Sequence, residues 1–296
     1  MKLRPLTGTL TALVTPFKHY EVAYRDLEKL VEHQIKGGID GLVPVGTTGE
    51  SPTLSHAEHR RVIEITGDVA DRRVPVIAGA GSNSTDEAVS LTRFAEEIGA
   101  DAVLSVVPYY NKPTQEGLFQ HFSAVAKATA LPIVLYSVPG RTVVDVSVDT
   151  MARLREAHAN IVGVKDATAS MEKASLTRSK LGPDFILLSG EDMTALGFMA
   201  HGGHGCISVT SNVAPKLCAQ FQNACMQGNF PAALMLQDKL VPLHKSLFLE
   251  NNPGGIKYAA SKLGLCSNEF RLPVVPITEA NEKAIDSAMA YAGLLN

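Results

Sequence analysis

Short apolar runs recur along the chain, and each is bounded by glycine, proline or polar residues. Amphipathic stretches of helical period separate them, so the pattern alternates between strand and helix. The runs are apolar at nearly every position, which is typical of parallel strands buried on both faces. Eight units of strand and helix close naturally into a barrel, so the sequence predicts an α/β fold, a (β/α)8 TIM barrel. The predicted strands are Thr9–Val14, Gly41–Val45, Val74–Ala78, Ala102–Val107, Ile133–Tyr136, Ile161–Val164, Phe185–Leu188 and Cys206–Val209.

The stretches between these runs carry helix signals. Asp26–Lys36 has apolar residues on one face and ends at Gly37-Gly38, a common helix stop. Another stretch begins with Ser55 and has Glu58 three residues later, which is a capping-box pattern. The sequence therefore predicts a helix over Ser55–Asp68, and similar patterns predict helices over Thr85–Ile98 and Gln115–Thr129.

Beyond the eighth run the chain shows no further strand pattern, but three or four helical stretches follow from Pro215 onward. We therefore expect a barrel over residues 1–224 and a C-terminal helical region over residues 225–296. One residue conflicts with the strand assignment. Pro44 lies inside the second predicted strand, where it lacks the N–H group that a ladder hydrogen bond needs.

Composition narrows the function classes. A length of 296 residues suits one barrel with an appendage, and 45% hydrophobic residues can fill a large core. The net charge is -3 and Lys and Arg are scattered, so we expect no nucleic-acid partner. The four cysteines show no CxxC spacing, which favours reduced thiols. Without a signal-peptide pattern or a long apolar run, we expect a cytoplasmic protein that does not enter the membrane.

A lysine follows the sixth apolar run directly. In Ile161-Val-Gly-Val-Lys165-Asp166 the amine is expected at the mouth of the barrel, where such barrels carry their chemistry. Desolvation there disfavours the ammonium form, and a neutral amine can attack a ketone to form an imine. The alternative is a structural ion pair with Asp166 or another carboxylate. Position alone does not separate the two interpretations.

Other strand ends also finish in polar residues. Tyr136 ends the fifth run and could relay protons, although a tyrosine there is often a core residue with a hydrated hydroxyl. Arg141 follows the Pro139-Gly140 turn and offers a planar fork for a carboxylate, although a surface arginine is the simpler interpretation. The loop Gly46-Thr-Thr-Gly-Glu50 supplies hydroxyls and backbone N–H groups that suit a small carboxylate.

Two further features are ambiguous. Tyr109 and Tyr110 follow the fourth run, and because neighbouring strand residues point opposite ways, at most one faces the barrel interior. The run His201-Gly-Gly-His204 suggests a metal site, but without a nearby carboxylate it is poor zinc geometry. We expect no metal there, because the glycines allow a tight turn into the eighth strand.

Together these residues resemble a known family. The resemblance spans nearly the whole chain and is to the dihydrodipicolinate synthase and N-acetylneuraminate lyase superfamily. It implies a class I, Schiff-base-forming lyase that needs no metal or organic cofactor. The motifs that carry the resemblance appear in the family's order and at roughly its spacing. They are Gly46-Thr-Thr-Gly-Glu50, Pro108-Tyr-Tyr-Asn111, Tyr136 with Val138-Pro-Gly-Arg141, Gly163-Val-Lys-Asp-Ala167 and Ser189-Gly-Glu-Asp192.

The resemblance also implies roles for single residues. Lys165 is implied to form the imine with pyruvate. In this family the second of the paired tyrosines reaches the active site of a neighbouring subunit, so Tyr110 implies a homotetramer built as a dimer of dimers. The other implied roles are a proton relay of Tyr136, Thr47 and Tyr110, a pyruvate carboxylate held by Thr47 and Thr48, and a pocket wall that includes Gly190 and Ile207.

Arg141 separates the branches of the superfamily. The resemblance implies that it binds the carboxylate of L-aspartate 4-semialdehyde, a substrate in lysine and diaminopimelate biosynthesis. Members that act on sugar acids, such as N-acetylneuraminate or 2-keto-3-deoxygluconate, generally lack this arginine and often read Gly-Ser-Thr-Gly-Glu in the loop. Both features favour the synthase branch here. A barrel kept as a non-catalytic sensor would have lost the lysine, tyrosine or threonine, and none is lost.

A second cluster resembles the L-lysine site of feedback-inhibited members. Glu87 could pair with an amino group, although two histidines three residues apart on a helix are also common on surfaces. The chain departs from the family at Ser137, where many members have Asn, and at Val143, where many have Gly. Neither departure touches the imine chemistry. The cluster consists of Ser51, His56, His59, Asn83, Glu87 and Tyr109.

Overall fold

A computed structural model describes residues 5–295, and it contains a barrel of eight parallel strands. Around the sheet the strands follow in the order Gly41–Val43, Gly8–Ala12, Gly205–Ser208, Ile186–Ser189, Ile161–Asp166, Ile133–Ser137, Ala102–Val106 and Ile77–Gly79. A parallel bridge between Leu42 and Val76 joins the two ends. The predicted (β/α)8 TIM barrel is therefore confirmed. The strands are Gly8–Ala12 (β1), Phe17–Lys18 (β2), Glu21–Val22 (β3), Gly41–Val43 (β4), Ile77–Gly79 (β5), Ala102–Val106 (β6), Ile133–Ser137 (β7), Ile161–Asp166 (β8), Ile186–Ser189 (β9) and Gly205–Ser208 (β10).

The barrel strands are apolar on both faces because each face packs against a different core. Successive strand residues point to opposite sides. On β6, Leu104 belongs to the cluster inside the barrel, whereas Val103 belongs to the larger cluster between strands and helices. On β7, Val134 and Leu135 divide in the same way. Both cores exclude water, which explains the continuous apolar runs of the sequence.

Helices cover the outside of the barrel and form the C-terminal region. The capping box of the second helix is confirmed, since Ser55 Oγ accepts from Glu58 N at 3.3 Å and Ser55 N donates to Glu58 Oε2 at 2.9 Å. The helices are Tyr24–Lys36 (α1), His56–Ala70 (α2), Thr85–Glu97 (α3), Gln115–Lys127 (α4), Pro139–Thr142 (α5), Val148–Ala157 (α6), Met171–Leu181 (α7), Ala195–Ala200 (α8), Pro215–Met226 (α9), Phe230–Ser246 (α10), Gly254–Lys262 (α11) and Glu279–Tyr291 (α12).

Several strand boundaries differ from those predicted. The second barrel strand ends at Val43, so Pro44 lies beyond the ladder and its missing N–H costs no strand hydrogen bond. Its carbonyl accepts from Gly79 N at 3.2 Å. The sixth strand instead runs longer than predicted, through Asp166, which places Lys165 inside the strand. The short antiparallel pair β2 and β3 was not predicted, because two-residue strands leave no periodic pattern.

Four helices follow the last strand, as the sequence indicated. The first of them, α9, lies against β1, where Thr9 Oγ1 donates to the carbonyl of Cys218 at 3.0 Å. This helix spans the predicted boundary at residue 224, and the division into two regions stays a prediction. The four cysteines are free and buried. None of the helices that the structure describes is both long enough and apolar enough to cross a membrane.

Candidate active site

Lys165 is buried on the inner wall of the barrel, with 6% of its surface exposed. In the strand register it lies between Tyr136 of β7 and Leu188 of β9, which both belong to the interior cluster. Its Nζ atom lies 4.2 Å from the centroid of the Tyr136 ring. The amine therefore lies over the aromatic ring of Tyr136.

The neighbouring carboxylate does not pair with this amine. Asp166 Oδ1 accepts from the backbone N of Thr168 at 2.8 Å, and Asp166 Oδ2 lies 3.6 Å from Lys173 Nζ. Lys173 Nζ also lies 2.5 Å from Asp145 Oδ1. Within residues 5–295, Lys165 makes no ion pair. The alternative of a structural ion pair with Asp166 is therefore wrong, because adjacent strand residues point to opposite faces.

A glycine makes room for the lysine side chain. A Cβ atom added at Gly190 would lie 3.1 Å from Lys165 Cε and 2.7 Å from Ala167 Cβ. A larger residue would therefore push against the lysine stem. Ile207 on β10 is buried in the same interior cluster as Tyr136. Neither residue lines the cavity beside this group, and their place in the pocket wall stays a prediction.

A cavity of about 240 Å³ opens beside this group. The lining does not include Lys165, but it includes Tyr136, whose ring the lysine amine approaches. Volumes of this order suit small ligands. A larger groove of about 870 Å³ lies at the opposite, amino-terminal ends of β5 and β6, away from all of the predicted site residues. The residues of the smaller cavity are Val45, Gly46, Thr47, Ser51, Pro52, Gly79, Gly81, Leu104, Val106, Tyr109, Tyr136, Val138, Arg141 and Thr142.

The threonine loop and Arg141 border the cavity from different elements. Thr47 lines it, whereas Thr48 is buried and its Oγ1 accepts from Asn252 Nδ2 at 3.0 Å. Arg141 sits on the short helix α5, and its Nη2 donates to the carbonyl of Asn252 at 3.3 Å. One residue of the C-terminal region therefore contacts both candidate carboxylate-binding elements.

The two adjacent tyrosines have different surroundings. Tyr109 lines the cavity, and burial together with the charge of Glu87 raises the pKa of its phenol. Tyr110 is 90% exposed and has a positive φ of 70°. Within one chain, Tyr110 is therefore not brought to the cavity, and its predicted role requires a second subunit.

The residues of the predicted lysine site form one cluster beside the cavity. His56 Nε2 lies 3.3 Å from Glu87 Oε1, and Ser82 donates a hydrogen bond to the same carboxylate. Buried His59 contacts Ser51 Oγ through Nδ1 at 3.4 Å, and burial lowers the pKa of its imidazole. Ser51 and Tyr109 also line the cavity, so they join the two regions. The backbone carbonyl of Asn83 accepts from Asn111 Nδ2 at 2.8 Å at the rim of the cluster.

The two histidines of the glycine-rich turn have protein partners. His204 Nδ1 accepts from the backbone N of Leu187 at 3.1 Å, and its Nε2 lies 3.1 Å from the carbonyl of Pro183. His201 Nδ1 lies 2.7 Å from Ser175 Oγ. No group of three or more His, Cys, Asp or Glu side chains in residues 5–295 is arranged to hold a metal ion.

Comparison with known proteins assigns this barrel to a family. A model of the dihydrodipicolinate synthetase family matches residues 5–292. The chain belongs to the dihydrodipicolinate synthetase family. The 4-hydroxy-tetrahydrodipicolinate synthase of Afipia carboxidovorans is 60% identical to it over 289 residues, which are 98% of this chain and 97% of the relative. Membership confirms the expectation of a lyase, and these names do not favour the sugar-acid branch.

Solved structures of the dihydrodipicolinate synthetase family match over nearly the full length. The chloride-inhibited dihydrodipicolinate synthase of Acinetobacter baumannii, complexed with pyruvate, has a TM-score of 0.96 and 45% identity over 98% of this chain and 100% of its own. The synthase of Cyanidioschyzon merolae with lysine bound has a TM-score of 0.95 and 38% identity, covering 98% of this chain and 99% of its own.

The sequence analysis missed Asn252 and assigned no role to Glu191. Asn252 touches Thr48 although 204 positions separate them, so no local pattern points to this contact. Its position before Pro253, in a segment between two helices, was the one available signal. Glu191 was noted only as a motif member, yet burial raises the pKa of its carboxyl; the hydrogen bond from the backbone N of Met193 opposes this shift, and the charge of Asp192 adds to it. A half-buried carboxyl with a raised pKa that follows β9, the strand paired with that of Lys165, is a candidate proton carrier.

Proposed function

We propose that the chain condenses pyruvate with L-aspartate 4-semialdehyde through an imine on Lys165, as a 4-hydroxy-tetrahydrodipicolinate synthase. The observation that carries this proposal is the buried amine of Lys165 beside Tyr136, without an ion pair in the described part of the chain. A primary amine that is not engaged in an ion pair is available to attack a ketone. No metal or organic cofactor is required for this chemistry.

The proposed reaction assigns a role to each element around the cavity. Lys165 attacks the ketone carbon of pyruvate and water leaves, and the methyl group of the imine then loses a proton to give an enamine. The enamine carbon adds to the aldehyde, and the amino group of the second substrate displaces the lysine as the ring closes. Each step moves protons, and Tyr136 with Thr47 are proposed to carry them. Thr47 and Thr48 are proposed to hold the pyruvate carboxylate, beside the wall formed by Gly190 and Ile207.

The remaining member of the proton relay is proposed to come from another subunit. Tyr110 is almost fully exposed in the single chain, and an aromatic side chain held outward in this way suits insertion into a neighbour. We infer a homotetramer arranged as a dimer of dimers, in which Tyr110 completes the relay of the adjacent active site. The cytoplasmic location and the absence of a nucleic-acid partner stay predictions from sequence.

Substrate preference tests the proposed function, and Arg141→Ala tests how the aldehyde is selected. The unmodified protein is expected to turn over pyruvate with L-aspartate 4-semialdehyde and to leave N-acetylneuraminate and 2-keto-3-deoxygluconate uncleaved. In Arg141→Ala, kcat/KM for the semialdehyde is expected to fall at least about a hundredfold, because the charge-assisted hydrogen bonds to its carboxylate are lost. Borohydride trapping of pyruvate should persist, since the amine that forms the imine belongs to Lys165 and is unchanged in this variant.

Arg153→Ala is the matched control for this prediction. Arg153 is an exposed arginine that pairs with Glu116 at 2.8 Å on the outside of the barrel. Its loss should leave kcat/KM for the semialdehyde within about twofold of the original value. Full synthase activity in Arg141→Ala, or faster cleavage of a sugar acid by the unmodified protein, would reject the assignment.

We also propose that L-lysine binds the cluster around Glu87 and inhibits the enzyme. The carboxylate of Glu87 lies beside His56 and the phenol of Tyr109, which gives an ammonium group a charged partner in a partly buried position. Because Ser51 and Tyr109 belong to both regions, a ligand in the cluster can alter the cavity directly. The lysine-bound structure of the Cyanidioschyzon merolae relative supports lysine as the ligand.

Glu87→Gln should weaken this inhibition. The concentration of L-lysine that halves the reaction rate is expected to be at least about tenfold higher for Glu87→Gln than for the unmodified protein, because the ammonium group of L-lysine loses its charged partner. Glu97→Gln, on the same helix and exposed, should leave that concentration unchanged. A flat response of the unmodified protein to millimolar L-lysine would eliminate the proposed site.

A further inference from the structure

Asn252 lies between α10 and α11 and is one of the residues of the C-terminal region that contact the threonine loop, whereas Lys257 and Arg271 contact Glu50 at the end of that loop. Asn252 is 8% exposed, and its side-chain Nδ2 donates to Thr48 Oγ1 at 3.0 Å. Its backbone carbonyl accepts from Arg141 Nη2 at 3.3 Å. Asn252 thus contacts Thr48 through its side chain and Arg141 through its backbone. A substitution at Asn252 therefore removes only the side-chain hydrogen bond to Thr48.

The rest of the fold makes little use of the Asn252 amide. Its Oδ1 atom is buried and has no hydrogen-bond partner among residues 5–295. Buried polar atoms are nearly always paired, so an amide serving only the fold would be expected to have both ends satisfied. The single side-chain bond to Thr48 therefore points to a function at that hydroxyl.

A hydroxyl group can accept from one partner while donating its one hydrogen to another. Because Asn252 Nδ2 fills an acceptor position of Thr48 Oγ1, the Thr48 hydrogen stays free for a further acceptor. Donation to the oxygen also polarises the O–H bond, which strengthens the hydrogen bond that the hydroxyl makes in turn. A carboxylate is the strongest common acceptor for such a group.

We propose that Asn252 is a positioning residue of the reaction, whose amide holds the Thr48 hydroxyl as a donor toward the carboxylate of the bound keto acid. This inference rests on the proposed function, because it takes pyruvate as the ligand of the threonine loop. The anchoring of both neighbouring segments supports it. Lys257 of α11 bonds Glu50 at the end of the same loop at 2.6 Å, so Asn252 and Thr48 are held at a fixed separation.

The test compares two substitutions at Asn252 by their effect on the KM for pyruvate. Asn252→Ala removes the donor, and KM is expected to rise about fivefold, the range of one lost hydrogen bond. Asn252→Asp keeps the size but can only accept, so it takes the Thr48 hydrogen and should raise KM further. The change in kcat should stay within about threefold, and pyruvate at saturation should still be trapped on Lys165 by borohydride. If Asn252 had only a structural role, Asn252→Asp should raise KM less than Asn252→Ala, since Asp is closer to Asn in shape.

A double-mutant cycle with Thr48→Val shows whether Asn252 acts through Thr48. In the Thr48→Val background, Asn252→Ala is expected to change the KM for pyruvate less than about twofold. Asn251→Ala, at the exposed preceding residue, is the matched control and should leave KM unchanged. An unchanged KM in both Asn252 variants, or effects of Asn252→Ala and Thr48→Val that multiply in full, would overturn the inference. Failure of the proposed function would look different from failure of this inference, because the unmodified protein would then form no borohydride-trapped adduct with pyruvate.

Discussion

Replacing Lys165 with methionine is expected to abolish the borohydride-trapped adduct with pyruvate and to lower synthase turnover by roughly a thousandfold or more. An imine needs a primary amine, and a thioether of similar length and volume provides none. The side chain is buried among apolar residues, so methionine should fit without disturbing the barrel. Intact mass and peptide mapping after reduction would locate the adduct in the unmodified protein and show its absence in the variant.

A second buried lysine makes the position of the label informative. Lys173 is 9% exposed, but its amine is engaged in ion pairs with Asp145 at 2.5 Å and Asp166 at 3.6 Å. The adduct is therefore expected on Lys165 and not on Lys173. Lys180→Met, which removes an exposed lysine paired with Asp149, serves as a control and should keep both label and turnover. A label found on Lys173, or one that persists in Lys165→Met, would refute the proposed chemistry.

Much of the barrel could be predicted because its two cores impose a local pattern. Every barrel strand is buried on both faces, so each leaves an apolar run that is visible without tertiary information. The exact ends of the strands were not predictable in this way. Pro44 was assigned to a strand because it adjoins an apolar run, whereas the ladder stops one residue earlier. Lys165 was placed after a strand because it is charged, yet the barrel interior accommodates it.

The functional residues divide by how far their partners lie along the chain. Lys165 and Tyr136 end neighbouring runs, so the topology of a parallel barrel alone brings them together. The ion-pair alternative for Lys165 could be excluded only with the structure, since it depended on where Asp166 points and on Lys173 being present to receive it. Asn252 meets Thr48 through the packing of the C-terminal region on the barrel mouth, and no periodicity encodes that contact.

A buried ion pair beneath the threonine loop also joins residues far apart in the chain, so it could not be predicted from the sequence pattern. Lys257 is 0% exposed, and its Nζ atom lies 2.6 Å from Glu50 Oε1 and 2.6 Å from the carbonyl of Glu269. Burial lowers the pKa of Lys257, and the charge of Glu50 opposes that shift. The ring of Phe17 lies 4.0 Å from the amine and contributes a cation–π contact. Each charge therefore depends on the other for its solvation.

Lys257→Met is expected to lower the free energy of unfolding by about 3–5 kcal/mol, because it leaves the buried carboxylate of Glu50 without a charged partner. The carbonyl of Glu269 loses its donor in the same step. Urea unfolding followed by circular dichroism would measure the loss, which corresponds to a lower midpoint with an unchanged slope. Lys262→Met supplies a matched control on the same helix, since Lys262 pairs with Asp286 at 3.0 Å with both side chains more than a third exposed. Its cost should not exceed about 1 kcal/mol.

A second substitution separates loss of the charge partner from loss of packing. Glu50→Gln combined with Lys257→Met removes the uncompensated charge, so the double variant should recover part of the stability that Lys257→Met loses. Packing alone would make the two substitutions additive, because an amide in place of a carboxylate fills the same space. Equal costs for Lys257→Met and Lys262→Met, or a double variant less stable than either single one, would show that the pair does not hold the loop. Recovery would instead establish that the C-terminal region stabilises the threonine loop through charge.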